Sequence, residues 1–157
     1  MKKHISKIAA IIVSLTVAAS VAYAANVHFK RTPNFTDNGT TLTGCFSLSG
    51  LGNQDVTITI DTRGDASTQC INPGGTAAPG INKKNLGGSG SQTFSANEIK
   101  NGTLSACVTT GAPTITAKEA GCPNDGWTAV ITDVKFNTAT ITVTQGGQIV
   151  LQTTQTF

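Results

Sequence analysis

Few side chains beyond the first 24 residues could take part in catalysis. His28 is the only imidazole there, and it lies on an alternating segment without a nameable catalytic partner. Ser89 stands in Gly-Gly-Ser-Gly, which lacks the Gly-x-Ser-x-Gly spacing of a nucleophile elbow. Asp61 and Asp65 flank one expected turn and could share an ion, although solvated turn carboxylates are the commoner explanation. The sequence therefore predicts a protein that is not an enzyme and that holds no cofactor or metal.

The four cysteines, Cys45, Cys70, Cys107 and Cys122, are expected to form two disulfides. They contain no C-x-x-C pattern, and four cysteines allow three pairings that sequence alone does not decide. Cys45 and Cys107 both lie on the polar side of alternating segments, whereas Cys70 and Cys122 each border a turn. We therefore favour the pairs Cys45–Cys107 and Cys70–Cys122, each worth roughly 4 kcal/mol in the chain-entropy account of loop closure.

The first 24 residues have the features of an export signal. Three lysines precede an apolar run over residues 8–18, which is too short to span a bilayer, and Ala22-Tyr23-Ala24 matches the small-x-small cleavage rule. The alternative is that residues 1–24 remain attached as an uncleaved membrane anchor. We predict a cleaved signal peptide over residues 1–24, one domain over residues 25–157, and export to the periplasm, the cell surface or the medium.

Removal of this leader would leave an electrically neutral chain. The formal charge of +3 comes from the leader lysines, so eight basic and eight acidic residues remain. A neutral chain is poorly suited to bind nucleic acid or an anionic membrane through its overall field. We therefore expect no nucleic-acid partner and no membrane span after cleavage.

Hydrophobic periodicity predicts an all-β domain. Threonine supplies 25 residues after the leader, and segments such as 56–61 and 138–144 alternate apolar and polar residues with a period of two. The apolar phase slips between Ile131 and Val134 and again between Phe136 and Ala139, which indicates bulges or a sheet corner. We predict an antiparallel β-sandwich, immunoglobulin-like in architecture, with seven or eight strands and Trp127 as its large core residue. The strand topology stays open, because true immunoglobulin domains have the order Cys…Trp…Cys and here Trp127 follows all four cysteines.

Local signals predict how the strands are joined. Gln145-Gly146-Gly147-Gln148 has the pattern of a two-residue hairpin. Residues 95–98 and 116–119 have capping-box spacing and are expected to form single helical turns. The segment from Cys70 to Gly90 is rich in Gly, Pro and Asn and is expected to be a long surface loop around a short strand.

Two segments contain candidate contact residues. Arg63-Gly64-Asp65 follows a predicted strand and would be exposed by a turn, although Gly-Asp at a hairpin end requires no receptor. The 70–90 loop offers amide and ammonium groups to a protein or glycan. The predicted binding residues are Arg63, Gly64, Asp65, Asn72, Asn82, Lys83 and Lys84.

Four stretches of the chain resemble a group of small secreted bacterial proteins of predicted β structure, over most of the sequence after the leader. They are residues 50–57 (GLGNQDVT), 70–75 (CINPGG), 98–102 (EIKNG) and 122–127 (CPNDGW). Because that group has no assigned activity, the resemblance implies secretion and a β fold and adds no catalytic residue.

Both ends of the chain carry alternating apolar segments, with Val27 and Phe29 at one end and Ile149, Leu151 and Phe157 at the other. Such segments either complete the protein's own sheets or, as edge strands, pair with another chain. The sequence thus favours an exported surface or envelope protein that acts by binding or assembly. The alternative is a soluble secreted binding module or inhibitor that uses the Cys70–Gly90 loop.

Overall fold

The computed structural model describes residues 26–157, which form an all-β fold. The described residues contain ten strands and not the expected seven or eight, because the 70–90 segment adds two short strands and residues 28–37 divide into two. The predicted signal peptide, residues 1–24, and its cleavage site before Ala25 lie outside the described residues. The strands are β1 (His28–Phe29), β2 (Asn34–Asp37), β3 (Leu42–Ser49), β4 (Val56–Ile71), β5 (Ala77–Pro79), β6 (Lys83–Leu86), β7 (Ser89–Phe94), β8 (Leu104–Thr109), β9 (Thr128–Gln145) and β10 (Gln148–Thr156). A 3-10 turn occupies Ala96–Glu98. Within residues 26–157, no helix is long and apolar enough to cross a membrane.

The first sheet is built around β3, whose antiparallel neighbours are β1, β2 and β8. β8 pairs with Thr43–Leu48 along one edge of β3. β1 and β2 share the other edge of β3. β1 pairs near the end of β3, β2 pairs near the beginning of β3, and residues 30–33 connect β1 to β2. Side chains of β3 alternate between buried and half-buried, as the period of two predicts for a strand with one face toward a core.

The second sheet has the order β10-β9-β4, with β7, β6 and β5 following one another along the free side of β4. β4 and β9 pair antiparallel over the whole of Val56–Ile71. Their register shifts twice, which leaves Thr132 and Asn137 of β9 as extra residues. These are the positions where the apolar phase slips, so the predicted bulges are confirmed. Each bulge returns the apolar residues of β9 to the buried face.

Apolar side chains from both sheets meet in one core, which includes Phe46 of the first sheet and Phe136 of the second. The buried members are Val27, Leu42, Phe46, Leu48, Leu51, Val56, Ile58, Ile60, Ala66, Phe94, Leu104, Val108, Val134, Phe136, Ala139, Ile141 and Val143. The expected role of Trp127 in this core is wrong: its side chain is half-buried and lies outside the cluster. The reason is its position, since Trp127 ends a turn before β9, and β9 reaches the core only from Ile131 onward.

The two disulfides join the predicted pairs of cysteines. Cys45 and Cys107 are directly opposed in the register of β3 and β8, and their sulfurs are bonded. The bond between Cys70 and Cys122 ties β4 to the segment that connects β8 with β9. This segment is also held by a backbone hydrogen bond of 2.7 Å from Ile81 N–H to the carbonyl of Ala120, which is buried. Both disulfides indicate an oxidising environment.

The predicted hairpin at residues 145–148 and the predicted turns at residues 95–98 and 116–119 form as expected. Gly146 and Gly147 have φ values of 60° and 78°, which is the left-handed backbone that a two-residue hairpin of this kind requires. At the second helical turn, the backbone N–H and the hydroxyl of Thr116 donate to the Glu119 carboxylate at 2.9 and 2.7 Å. Glu119 N–H donates back to the Thr116 hydroxyl at 3.3 Å, which completes the capping box.

Candidate binding edge and neighbouring surfaces

The last strand, β10, forms one edge of the second sheet. Among residues 26–157 it pairs with β9 alone, so the other side of its backbone carries N–H and C=O groups without a strand partner. Its nine residues, QIVLQTTQT, contain no charged side chain and no proline. Ile149 and Phe157, at the two ends, are 63% and 54% exposed and are two of the four large exposed hydrophobic side chains of the described chain.

The sequence positions β10 through both backbone and side-chain contacts. The Gly146-Gly147 turn folds it back on β9, and Val150 and Leu151 pack against the core. On the outer face, the hydroxyls of Thr140 and Thr154 are 2.9 Å apart, and Gln152 Nε2 donates to the Thr142 hydroxyl at 3.0 Å. Cross-strand pairs of this kind stabilise neighbouring strands. The edge strand is therefore in regular register with β9 except for the bulge at Val150.

The other edges of the two sheets are shorter than β10 or carry charged residues and proline. The β1/β2 edge is interrupted by a segment that contains Lys30, Arg31 and Pro33, and charges and proline are typical protections of an edge. β5 and β6 are only three and four residues long. The edges of β7 and β8 are uncharged but only six residues long, and they meet at one end, where Gly111 N–H, just after β8, donates to the Ser89 carbonyl at 2.9 Å. β10 thus differs from the remaining edges.

The terminal strands both complete the protein's own sheets and lie at their edges. Val27 is buried in the core, and Phe29 packs edge-on against Phe46 with ring centroids 6.1 Å apart. At the other terminus, Phe157 packs edge-on against Phe35 of β2 at 5.2 Å. The edges formed by β2 and β10 are therefore neighbours on the same side of the molecule.

A groove of about 460 Å³ lies on the first sheet beside the Cys45–Cys107 disulfide. The residues around it come from the β1–β2 connection, from the start of β2 and from the middle of β3 and β8. They are Arg31, Thr32, Asn34, Cys45, Phe46, Ser47, Ser105, Ala106 and Cys107. Cys107 is exposed and Cys45 is half-buried, so this disulfide is open to solvent.

The expected turn at Arg63-Gly64-Asp65 is wrong, because the tripeptide lies in the middle of β4 and pairs with β9. Gly64 is buried, and a Cβ there would overlap the backbone carbonyl of Lys135 on β9. The glycine is therefore needed for close approach of two strands and not for a turn. Asp61 and Asp65 are on the same strand, about 13 Å apart along it, and do not flank a shared turn.

The predicted contact residues of the 70–90 segment are largely engaged in its own folding. Asn72 Oδ1 accepts a hydrogen bond of 2.8 Å from Thr76 N–H, which closes the turn before β5. Asn82 Oδ1 accepts from Thr68 N–H on β4 at 3.4 Å. Lys83 and Lys84 are the first two residues of β6, where Lys83 pairs with Ala66. The segment is thus two short strands along β4, with a turn before β5 and residues 80–82 linking β5 to β6, rather than one free loop.

The part of the chain that the structure describes contains no cluster of metal-ligating side chains. No group of three or more His, Cys, Asp or Glu side chains in residues 26–157 could hold a metal ion. The His28 ring is exposed, and its Nδ1 lies 2.9 Å from the carbonyl oxygen of Asn26. The hydroxyl and the backbone N–H of Thr116 lower the pKa of Glu119 below its ordinary value of 4.5, but this carboxylate caps an exposed turn.

Sequence reasoning found the strand at the C-terminus but missed two features of the site. The contrast between a bare β10 edge and protected edges elsewhere depends on strand order, which the sequence does not contain. The groove at Cys45–Cys107 depends on the break between β1 and β2, for which Pro33 was the available signal.

No protein-family model matches the chain, and no curated protein or solved structure matches it. The resemblance to small secreted bacterial proteins therefore stays a prediction.

Proposed function

We propose that this chain is an exported, non-enzymatic surface or envelope protein that acts by binding or assembly through the β10 edge. One observation carries the proposal: a nine-residue edge strand without charge or proline, in a fold whose other edge strands are shorter or are interrupted by charged residues and proline. Natural sheets protect free edges against pairing with other chains, so an unprotected edge is expected where pairing is useful.

Strand addition supplies the physical mechanism. A strand of the partner would pair with the free N–H and C=O groups of β10, and these main-chain hydrogen bonds would provide the affinity. Side chains that alternate along β10 would provide the specificity: Gln152 and Thr154 point to the outer face, as their pairing with Thr142 and Thr140 indicates. Exposed Ile149 and Phe157 would add apolar contacts at either end.

The finer architecture belongs to the same proposal: a β-sandwich of immunoglobulin-like arrangement. The sheet orders β1/β2-β3-β8 and β10-β9-β4-β7 correspond to A-B-E and G-F-C-C′ in the strand lettering of that fold. One core shared by both sheets supports it further. In this arrangement β10 takes the place of strand G, which lies at a sheet edge.

Export is supported by the leader pattern and by the two disulfides, which persist in oxidising compartments. The periplasm, the cell surface and the medium are all compatible with these features. The neutral charge after leader removal favours a protein or glycan partner over nucleic acid.

The test is the native molar mass of the protein recovered from the envelope and the medium of the producing cell. The wild type should occur in a species larger than the monomer, and Gln152→Lys/Thr154→Lys should return it to the monomer. The matched control is Ser91→Lys/Thr93→Lys on β7, which adds the same charge and removes the same kind of hydroxyl contact on the same sheet. A monomeric wild type in both fractions, or equal behaviour of the two variants, would reject the β10 edge.

The second candidate is a secreted binding module or inhibitor that uses the Cys70–Gly90 segment. The observation that favours it is Ile81, which is 60% exposed between the two short strands β5 and β6. Replacement of the segment by a Gly/Ser linker would also delete strand pairing with β4, so a point change is the sharper test. If this segment binds the partner, Ile81→Ser should abolish complex formation in the same fractions and Gln152→Lys/Thr154→Lys should not.

A further inference from the structure

We propose that the occupant of the β10 edge is β10 of a second copy of this chain, paired antiparallel about a two-fold axis. This inference rests on the proposed function of β10 as a binding edge and names its partner. The two six-stranded sheets would then continue into one.

The side chains of β10 are self-complementary in one register. When Thr153 lies on the two-fold axis, Gln152 of each copy is opposite Thr154 of the other, and Leu151 is opposite Gln155. Inside the monomer, Gln152 already donates to the hydroxyl of Thr142, and Thr154 already contacts the hydroxyl of Thr140. A second β10 therefore offers outer-face partners of the same chemistry as β9 does, and residues of equal parity share a face as pairing requires.

The same register brings each exposed hydrophobic end of the strand beside the other copy. Phe157 of one copy lies at the end of β10 that carries Ile149 in the other, with Ile149 on the outer face and Phe157 on the face towards the first sheet. These are two of the four large hydrophobic side chains that the described chain exposes. Their removal from water favours association, and a central polar pairing between apolar ends fixes the register.

The absence of charge on β10 allows a second copy to pair with it. β10 carries no charge, so it offers no field by which a charged partner strand would be selected or rejected. Two copies of an uncharged strand meet without repulsion. The assembly is also closed, because the two-fold axis pairs β10 with β10 and neither copy keeps a free β10 for a third. The expected species is therefore a dimer and not a filament.

The experiment uses the purified, oxidised protein alone, measured by sedimentation from low micromolar concentration upward. The wild type should pass from monomer to dimer, and Gln152→Lys/Thr154→Lys should weaken the dimer by at least about tenfold, because each introduced ammonium group would then face an introduced ammonium group of the other copy. The control Ser91→Lys/Thr93→Lys should dimerise like the wild type. Near-ultraviolet spectra and melting temperatures establish that each variant is folded.

A charge swap tests the register itself. Gln152→Glu/Thr154→Glu should also be monomeric alone, but a mixture of the Lys and Glu variants should form a one-to-one heterodimer, since every introduced Lys then faces an introduced Glu. A wild type that stays monomeric, a dimer that ignores β10 charges, or a mixture that fails to associate would overturn the inference. If the purified protein is monomeric while its complex in the envelope is still lost on charging β10, the proposed function stands and the partner is another protein.

Discussion

The buried amide of Gln145 holds the loop before β4 to the end of β9. Its side chain is 3% exposed and makes three hydrogen bonds to backbone. Gly52 N–H donates to Oε1 at 2.8 Å, while Nε2 donates to the carbonyls of Gly52 at 3.2 Å and of Gln54 at 2.7 Å. These bonds satisfy backbone groups that the neighbouring strands leave without partners.

Replacement of Gln145 by Leu removes all three bonds at nearly constant volume. A net contribution of about 1 kcal/mol per bond gives a loss of about 3 kcal/mol in the free energy of unfolding. For a domain of this size the corresponding fall in melting temperature is roughly 10 °C. The neighbouring Gln148 is exposed, and Gln148→Leu should change the free energy by no more than about 0.5 kcal/mol.

Urea unfolding of the oxidised proteins, followed by tryptophan fluorescence from Trp127, measures both variants on one scale. The slopes of the unfolding transitions should be equal, so the difference in midpoint gives the difference in stability. A loss below about 1 kcal/mol for Gln145→Leu, or equal losses for the two variants, would refute the view that this amide fastens the loop.

Three further predictions concern the disulfides, one capping carboxylate and one glycine. Under mild reductant, the Cys45–Cys107 disulfide should open before the Cys70–Cys122 disulfide, because Cys107 is exposed while Cys70 is 2% exposed. Alkylation and mass spectrometry measure the order, and simultaneous opening of the two disulfides would contradict the prediction. Hydrogen bonds from Thr116 lower the pKa of Glu119 below 4.5, so its stabilisation is complete above pH 4.5 and is lost as the pH falls through the lowered pKa. The melting-temperature difference between wild type and Glu119→Gln should shrink over that range, and a difference independent of pH would be the opposite result. Gly64→Ala should cost more than about 2 kcal/mol in urea unfolding, because a Cβ overlaps a β9 carbonyl, and unchanged stability would disprove the close approach.

Much of the fold follows from burial periodicity, and β9 illustrates why. A strand that is half-buried must keep its apolar residues on one face, so a slip between Phe136 and Ala139 requires an extra residue, and Asn137 is that residue. The disulfide pairing followed from similar reasoning, because Cys45 and Cys107 share the polar face of strands that proved to be neighbours.

Other features could not be predicted, because one residue type serves several physical purposes. Glycine before aspartate is typical of turns, but Gly64 is required by the approach of the β9 backbone, and only the strand pairing distinguishes these cases. Gln145 occupies a core position by parity with Val143, yet a sequence does not reveal which loop its amide binds. The free edge of β10 could not be predicted from the sequence either, since the order of strands in the sheet decides which strand lacks a neighbour.

The two disulfides overlap along the chain, and this determines what a single cut by a protease would release. One spans residues 45–107 and the other residues 70–122, so every peptide bond between Cys45 and Cys122 is bridged by at least one of them. A nick in the exposed turns around β5 and β6 would leave one covalently connected molecule. A nick after Cys122, for example in the Gly146-Gly147 turn, would cut β10 free of all covalent attachment. In a protease-rich surrounding, the body of the fold would thus outlast the strand that we propose for binding.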